Sequence, residues 1–427
     1  MTALNGGLLA GFIGLAWWQL GLFPAGMHED DAYFYFEIAR RIIETGQISF
    51  DGIGSTNGFH PLWMAVLSGA GWVFSRALPV DWALMVAAAL PLIALLRLPP
   101  PVFAMVLVAC YFTGFGMEGI LGGVLFLILA AWIERPAWVV PLAALIVLTR
   151  VDFAIALAVF AVLERRAAVA LGLGTLAGGL AYVGINLALE GIPYTVSALA
   201  KAEAARPDRL VSNVTSPGNL IRLAILAGAL ALLWGGPRRG FATGPLHLGL
   251  GVFLALHLVA SPARDWYFAA PLIAALGSIR PGARLAPAWV LCLALPLAGA
   301  GYQVSRHWQD AAGYAAFLDA LPGEGPVFAY DGSGYVAWRL HPRSVINGDG
   351  LVNTPDYARR HGDPAWFRGY WAEVGVESFL AHRGMGACPA PGMCCAPEGV
   401  ETVAAWQPRH GLLASTLWQV RNPARCR

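Results

Sequence analysis

Residues 28–36 read HEDDAYFYF, and residues 56–63 read TNGFHPLW. The first stretch follows residues 1–27, which contain no charged side chain. Three carboxylates, Glu29 to Asp31, then occur in a row. Ionisable groups are costly at a bilayer edge and usually have a function there. The two stretches therefore predict a first membrane-spanning helix that ends at a chemically active loop.

The composition of the whole chain extends this expectation. Of the 427 residues, 57% are hydrophobic and 13% are charged, and the mean hydropathy is +0.59. Ordinary soluble domains carry roughly 25% charged residues. The net charge of +2 provides no basic footprint for nucleic acid. We therefore expect an α-helical polytopic membrane protein that contacts the lipid bilayer and binds no nucleic acid.

Apolar runs and arginine positions predict how the spans are arranged. Short arginine-rich loops at 134–135, 164–166, 237–239 and 280–284 are expected on the cytoplasmic side. Residues 82–117 contain two more apolar runs, and one of them is not a full span, so the expected total is about 11 transmembrane helices. The other candidate spans lie near 5–24, 60–78, 119–133, 136–149, 152–163, 168–189, 217–235, 243–262, 266–280 and 286–302.

This arrangement divides the chain into two units. Residues 1–302 form the transmembrane unit, with a first outer loop at 25–59 and a second at 190–216. Residues 303–427 form a small extracytoplasmic α/β domain, with a helix at 307–321 and strands near 327–330 and 344–346. The four cysteines of this region predict one or two disulfides, and the sequence does not choose the pairing. They are Cys388, Cys394, Cys395 and Cys426.

The first outer loop predicts an amphipathic helix over 31–46. Polar side chains at 37, 40, 41 and 44 share one face, and apolar side chains at 34, 38 and 42 share another. We expect this helix to lie on the membrane surface. Its dipole favours ionised carboxylates at Asp30 and Asp31, although simple N-capping accounts for one acidic residue there.

These stretches resemble the first outer loop of GT-C glycosyltransferases, most closely bacterial members that include arabinofuranosyltransferases and mannosyltransferase-like proteins. The resemblance covers nearly the whole chain. Its further pieces are 116–118, 149–152, 186–201, 264–271 and 345–353. It implies transfer of a sugar from a polyprenyl-phosphate donor to a glycan, lipid or protein acceptor, with inversion. It also implies a multi-pass protein of the bacterial plasma (inner) membrane, with the active site and C-terminal domain on the periplasmic or extracellular side.

Such a transfer needs a general base, and the first loop offers two carboxylates. We favour Asp30 as the base, with Asp31 as its partner, but the resemblance does not separate them. Adjacent carboxylates repel each other, which raises one pKa. The pair also suits a divalent cation such as Mg, Mn or Ca, and the sequence leaves that requirement open.

The transfer also needs positive charge for the departing phosphate and polar groups for the sugar. For the phosphate the candidates are Arg150, Lys201, Arg264 and His60. Snorkelling of the long side chains, or helix-start packing of His60, accounts for them equally well. For the sugar or acceptor the candidates are Glu118, Asp152, Tyr267, Asn347, Asp349 and Asn353. Helix capping, interface anchoring and turn formation are the ordinary explanations of these six.

A multi-pass transporter or a flippase for lipid-linked glycans is the alternative. Coupled transporters usually carry ionisable groups near the bilayer midplane, beside broken helices. Here the interiors of the clearer apolar runs contain almost no charge, and the charges gather at their ends. This distribution favours group transfer over transport.

Overall fold

The computed structural model describes residues 2–23, 27–202, 243–260, 265–278, 308–330, 332–376, 378–382, 388, 395, 399–407 and 415–420. Among the described residues, helices dominate up to residue 278, and the strands lie beyond residue 326. Short 3-10 segments lie at Leu90–Leu95 and Asp265–Phe268. The α-helices of the first part are α1 (Thr2–Gln19), α2 (Asp30–Thr45), α3 (Pro61–Phe74), α4 (Val80–Ala89), α5 (Pro100–Phe112), α6 (Gly119–Ala131), α7 (Pro136–Thr149), α8 (Phe153–Leu163), α9 (Ala168–Glu190), α10 (Val196–Ala202), α11 (Thr243–Ala260) and α12 (Ala269–Gly277).

The C-terminal part is an α/β unit with a five-stranded sheet. Its elements are α13 (308–319), β1 (Val327–Ala329), α14 (Ser333–Leu340), β2 (Val345–Asn347), α15 (Pro355–Arg360), α16 (Pro364–Val374), β3 (Ser378–His382), β4 (Val400–Trp406) and β5 (Ser415–Val420). The strand order is β2-β1-β3-β5-β4. The strand β1 pairs in parallel with β2 and β3, whereas β5 pairs antiparallel with β3 and β4. The strands β1 and β2 lie where the sequence predicts short strands.

The expectation of about 11 transmembrane helices is wrong. Within the described residues, α9 alone is long and apolar enough to cross a membrane, judged by length and composition. Apart from α1 and α11, which have 18 residues each, the other apolar helical stretches have 10 to 17 residues, and a span needs about 20. The predicted runs at 217–235 and 286–302 lie outside the described residues. The same finding overturns the multi-pass plasma-membrane localisation.

The physical reason is that apolar helices have a second use, which is to bury their surfaces against one another. A helix that is hydrophobic on all sides suits a protein core as well as a membrane. In α6, nine of the thirteen residues are buried, including Phe126 and Leu129. They join α7, α8 and α11 in a cluster with Phe153 and Phe253. The apolar runs that were interpreted as membrane spans therefore form helix–helix contacts instead.

The helix α2 forms close to its predicted bounds and ends at Gly46, but it does not lie on a surface. Its residues from Ala32 to Arg41 are all buried. It contacts α3 and α4 on one side and α14 of the C-terminal unit on the other. The expectation of an exposed interfacial helix is therefore wrong, because both its apolar and its polar face find protein partners.

The two units share one hydrophobic core around α2. A single cluster of buried side chains contains Phe12, Phe36 and Trp63 from the first unit with Tyr335 and Trp338 from the second. Arg40 of α2 lies 3.4 Å from the ring centroid of Trp338. The packing therefore holds the first loop in a fixed position against the C-terminal unit.

Gly58 is where the loop before α3 approaches the C-terminal unit most closely. A Cβ added at Gly58 would lie 2.2 Å from the carbonyl oxygen of Leu351 and 2.8 Å from Cα of Val352. We expect Gly58→Ala to lower the free energy of unfolding by about 1–3 kcal/mol, because the backbones must move apart. Urea denaturation measures this loss.

Gly69→Ala is the matched control. Gly69 occupies an exposed position of α3, and nothing lies within 4 Å of a Cβ added there. It should leave stability unchanged or raise it slightly. Equal stability of both variants would contradict the close approach at Gly58.

Candidate functional site

A cleft lies where the start of α2 meets the loop 58–60, the helix α10 and the segment 351–352 of the C-terminal unit. Six of the residues that the sequence singles out line it, although they lie up to 236 positions apart. They are Asp31, His60, Glu118, Arg150, Lys201 and Tyr267. The fold therefore brings predicted residues from six separate segments into one site.

Helix ends position most of these side chains. Asp31 lies in the first turn of α2, and His60 immediately precedes Pro61 of α3. Glu118 immediately precedes α6, and Arg150 immediately follows α7. Lys201 lies in the last turn of α10. Polar groups at helix ends reach a shared cleft while the apolar helix bodies pack into the cores.

Arg150 is the centre of a buried ion cluster at one side of the cleft. Its Nη1 donates to Oε1 of Glu118 at 2.5 Å. Its Nε and Nη2 donate to the two oxygens of Asp152 at 3.0 and 2.6 Å. Oδ2 of Asp152 also lies 2.9 Å from Nε2 of His257. The guanidinium stands 4.8 Å from the ring centroid of Tyr267.

The electrostatics of this cluster follow from its burial. Burial opposes ionisation of Glu118 and Asp152, yet Arg150 holds the pKa of each carboxyl below its usual range. Burial likewise disfavours the charge of Arg150, but Asp152 and Glu118 raise its pKa well above normal. Two carboxylates against one guanidinium leave no surplus positive charge. Arg150 therefore orients Glu118 and is not a freely available phosphate ligand.

Among the described lining residues, Lys201 is the cation that is not held by carboxylates. Its side chain is exposed, and it forms no ion pair with any residue that the structure describes. Ser197 lines the same cleft one helical turn earlier. An anionic group that enters here meets an ammonium and a hydroxyl on one face of α10.

His60 presents a neutral ring to the cleft. Its Nε2 lies 3.8 Å from Oε1 of Glu118. Its buried Nδ1 has no hydrogen-bond partner in the described part of the chain. Burial lowers the pKa of His60 to about 4, and the charge of Glu118 only partly opposes this effect. At neutral pH the imidazole is therefore a hydrogen-bonding group and not a cation.

The two adjacent carboxylates of the first loop have different surroundings. Oδ1 of Asp30 accepts from the amide of Tyr335 at 2.8 Å, and Oδ2 accepts from the amide of Gly334 at 3.2 Å. Asp31 lines the cleft instead. Burial raises the pKa of Asp30 well above its usual range, and Asp31 adds to this effect while the amides oppose it. Asp30 thus joins α2 to α14, and the placement favours Asp31 over Asp30 for contact with a substrate.

The candidate sugar- or acceptor-binding residues Asn347 and Asp349 of the C-terminal unit lie behind the cleft and support one of its walls. Asn347 is fully buried; its Nδ2 donates to Oγ of Ser333 at 2.7 Å, and its Oδ1 accepts from the amide of Leu351 at 2.9 Å. Oδ1 of Asp349 accepts from the same amide at 3.1 Å. Burial raises the pKa of Asp349 to about 7. The turn therefore holds Leu351 in place, as the turn explanation predicts for these residues.

Asn353 is buried. Asp152, Asn347, Asp349 and Asn353 do not contribute to the cleft lining. Arg264 lies outside the described residues. Of the four cysteines, Cys388 and Cys395 are disulfide-bonded, and the other two lie outside the described residues.

The possible divalent cation finds no ligand set in the described ranges, where no group of three or more His, Cys, Asp or Glu side chains is placed to hold a metal ion. Both oxygens of Asp30 already accept amide hydrogens. A hard cation needs about six oxygen ligands.

Sequence reasoning missed three residues with a part in the site. His257 contacts Asp152 across 105 positions, and a lone histidine in an apolar run gave no signal for it. Ser197 occurs in the resemblance without a role. Asn57 is buried beside the cleft and bonds to three residues from α9 and α10 and the turn between them. Its position next to Gly58 and His60 was the available signal.

A scan of protein families finds none that matches this chain, and a search of curated proteins finds no relative. The resemblance to GT-C glycosyltransferases therefore stays a prediction, and a functional argument has to rest on the geometry of the cleft.

Proposed function

We propose that the chain transfers a sugar from a polyprenyl-phosphate donor to a hydroxyl acceptor in this cleft. The observation that supports the proposal is the convergence of Asp31, His60 and Lys201, a carboxylate, a neutral imidazole and an ammonium, from three distant segments. A base and a cation facing one cleft are what displacement of a phosphate from a sugar requires.

The reaction needs one proton transfer and one displacement. Asp31 takes the proton of the acceptor hydroxyl as its oxygen attacks the anomeric carbon. The bond between that carbon and the phosphate oxygen breaks, and polyprenyl phosphate leaves with the bonding electron pair. Lys201 stabilises the charge that develops on the leaving phosphate. Attack from the side opposite the phosphate inverts the anomeric configuration.

The buried ion cluster orients the sugar in this scheme. Glu118 lines the cleft, and Arg150 holds it ionised and fixed. An ionised carboxylate accepts hydrogen bonds from sugar hydroxyls. Because the cluster is already assembled, little reorganisation is needed when the sugar binds.

Removal of the cleft's cation tests the proposal. We expect Lys201→Ala to raise the donor KM and lower kcat, with kcat/KM reduced about 10- to 100-fold, since a hydrogen bond to a charged group contributes about 1.5–3 kcal/mol. The measurement is release of polyprenyl phosphate by the purified full chain, with a panel of polyprenyl-phosphate sugars as donors.

Arg359→Ala removes an exposed positive charge from α15 and is the control, with no expected change in KM. The proposal is contradicted if the unaltered protein leaves every donor uncleaved. A transporter or flippase would give that result, because it moves the donor without cleaving it.

A further inference from the structure

We propose that Asn57 is a positioning residue that fixes the helix α10 over the cleft and so sets the affinity for the donor phosphate. The inference rests on the proposed function, because it assigns Lys201 to that phosphate. Asn57 precedes Gly58 in the loop between α2 and α3, and its side chain is fully buried. It does not itself line the cleft.

The amide of Asn57 is saturated with hydrogen bonds to distant residues. Its Nδ2 donates to Oδ1 of Asn186 at 2.8 Å and to the carbonyl of Tyr194 at 3.0 Å. Its Oδ1 accepts from the amide of Val196 at 2.9 Å. The two groups of one side chain thus bond to α9, to the turn that follows it and to α10. A buried amide that is fully paired specifies position, because any displacement leaves polar groups unpaired.

Two of the three partners of Asn57 are fixed in turn. Asn186 donates from Nδ2 to the carbonyl of Tyr182 at 2.9 Å, which sets the orientation of its amide within α9. Val196 is the first residue of α10, is fully buried, and packs with Ile192 and Ala358. The bond to Asn57 therefore holds the start of the helix that presents Ser197 and Lys201.

The short length of α10 makes this anchor important. The helix has seven residues, Val196–Ala202, and helices this short are marginal without outside contacts. Lys201 lies five residues after Val196, so a shift at the start of the helix moves the ammonium by a similar amount. Loss of the Asn57 bonds should therefore displace the cation without altering Asp31.

The chain provides a direct probe, because Lys201 is its only lysine. Reductive methylation with ¹³C-formaldehyde gives one lysine signal, separate in chemical shift from that of the N-terminal amine. Titration of the full chain with a short-chain polyprenyl monophosphate then reports binding at Lys201, with no need for turnover. The variants are Asn57→Asp, which keeps the acceptor for Val196 but loses both donated bonds, and Asn57→Ala.

We expect each variant to bind the monophosphate about tenfold more weakly, which corresponds to the loss of one or two buried hydrogen bonds. The kcat at saturating donor should fall as well, because the displaced ammonium also stabilises the leaving phosphate. In a Lys201→Ala background, where binding is followed by calorimetry, Asn57→Asp should weaken it no further. A general loss of structure would add to the effect of Lys201→Ala, so this cycle separates positioning from folding.

Three outcomes overturn the inference: unchanged affinity in Asn57→Asp, an equal loss of affinity in the Lys201→Ala background, or no shift of the Lys201 signal with the unaltered protein. Failure of the proposed function is a separate result. In that case the monophosphate still shifts the Lys201 signal, Asn57→Asp still weakens the binding, and no polyprenyl-phosphate sugar is cleaved.

Discussion

Replacement of Asp31 by asparagine is expected to lower kcat for glycosyl transfer by about 10²- to 10⁴-fold, the usual contribution of a general base. Asparagine has the shape of aspartate but cannot take the acceptor proton. Asp31 is partly exposed in the cleft, so the substitution should not disturb the core. Initial rates at saturating donor and acceptor measure the loss, and Asp356→Asn, at an exposed position of α15, is the control.

Asp30→Asn distinguishes the two carboxylates. Its oxygens accept the amides of Gly334 and Tyr335, and the asparagine oxygen can still accept one of them. A Cβ at Gly334 would lie 2.3 Å from the backbone oxygen of Asp30, which shows how closely α14 approaches. We expect a loss of stability in Asp30→Asn and a smaller loss of kcat than in Asp31→Asn. The reverse order of kcat would assign the base to Asp30.

Replacement of Arg150 by methionine is expected to lower the free energy of unfolding at pH 7 by about 3–5 kcal/mol, because it leaves a buried carboxylate without its partner. Glu118 is 1% exposed in its side chain and cannot turn to water. Urea denaturation measures the loss. The control is Arg339→Met, which breaks an exposed pair with Asp319 and should cost less than about 1 kcal/mol.

The effect of Arg150→Met should depend on pH in a defined direction. In the unaltered protein the pKa of Glu118 is lowered, so its contribution to stability is present above the unfolded pKa and is lost as the pH falls through the folded value. Without Arg150, burial raises that pKa, and the folded state takes up a proton more readily than the unfolded state. The stability deficit should therefore be smaller at pH 5 than at pH 7. A deficit of the same size at both pH values would contradict this account of the cluster.

Local patterns in the sequence were sufficient for α2 and for the strands β1 and β2, because caps, turns and periodicity act over a few residues. The surroundings of α2 were not predictable in the same way. Glu37 accepts hydrogen bonds from Arg41 four residues away and from His341, which lies 304 residues away. Only the contact between Glu37 and Arg41 can be recognised from the spacing of residues in the sequence. A polar face that packs against a distant unit therefore looks like a polar face in water.

Hydropathy misled the prediction of spans for a similar reason. An apolar run does not distinguish burial against another helix from burial in lipid. The described helices α6 and α8 have 13 and 11 residues, and their aromatic side chains Phe126 and Phe153 contact each other at 5.3 Å between ring centroids. Such contacts use the apolar surface that was assigned to the bilayer.

The sequence predicted which residues belong to the candidate site better than it predicted what each of them does. Charged residues at the ends of apolar runs were singled out, and the fold gathers Asp31, Glu118, Arg150 and Lys201 in one cleft. Roles depend on pairing, which spacing alone did not give. Arg150 is committed to two carboxylates, and among the described residues that line the cleft this leaves Lys201 as the available cation.

The most direct test of the central claim is a structure of the full chain with a donor analogue bound. A suitable analogue is a short-chain polyprenyl phosphonate in which a methylene group replaces the oxygen between the sugar and phosphorus. The account predicts that a phosphonate oxygen lies within about 3.2 Å of Nζ of Lys201, with the anomeric carbon facing Asp31. An analogue bound outside the cleft, or one whose phosphonate contacts neither Lys201 nor Ser197, would contradict it.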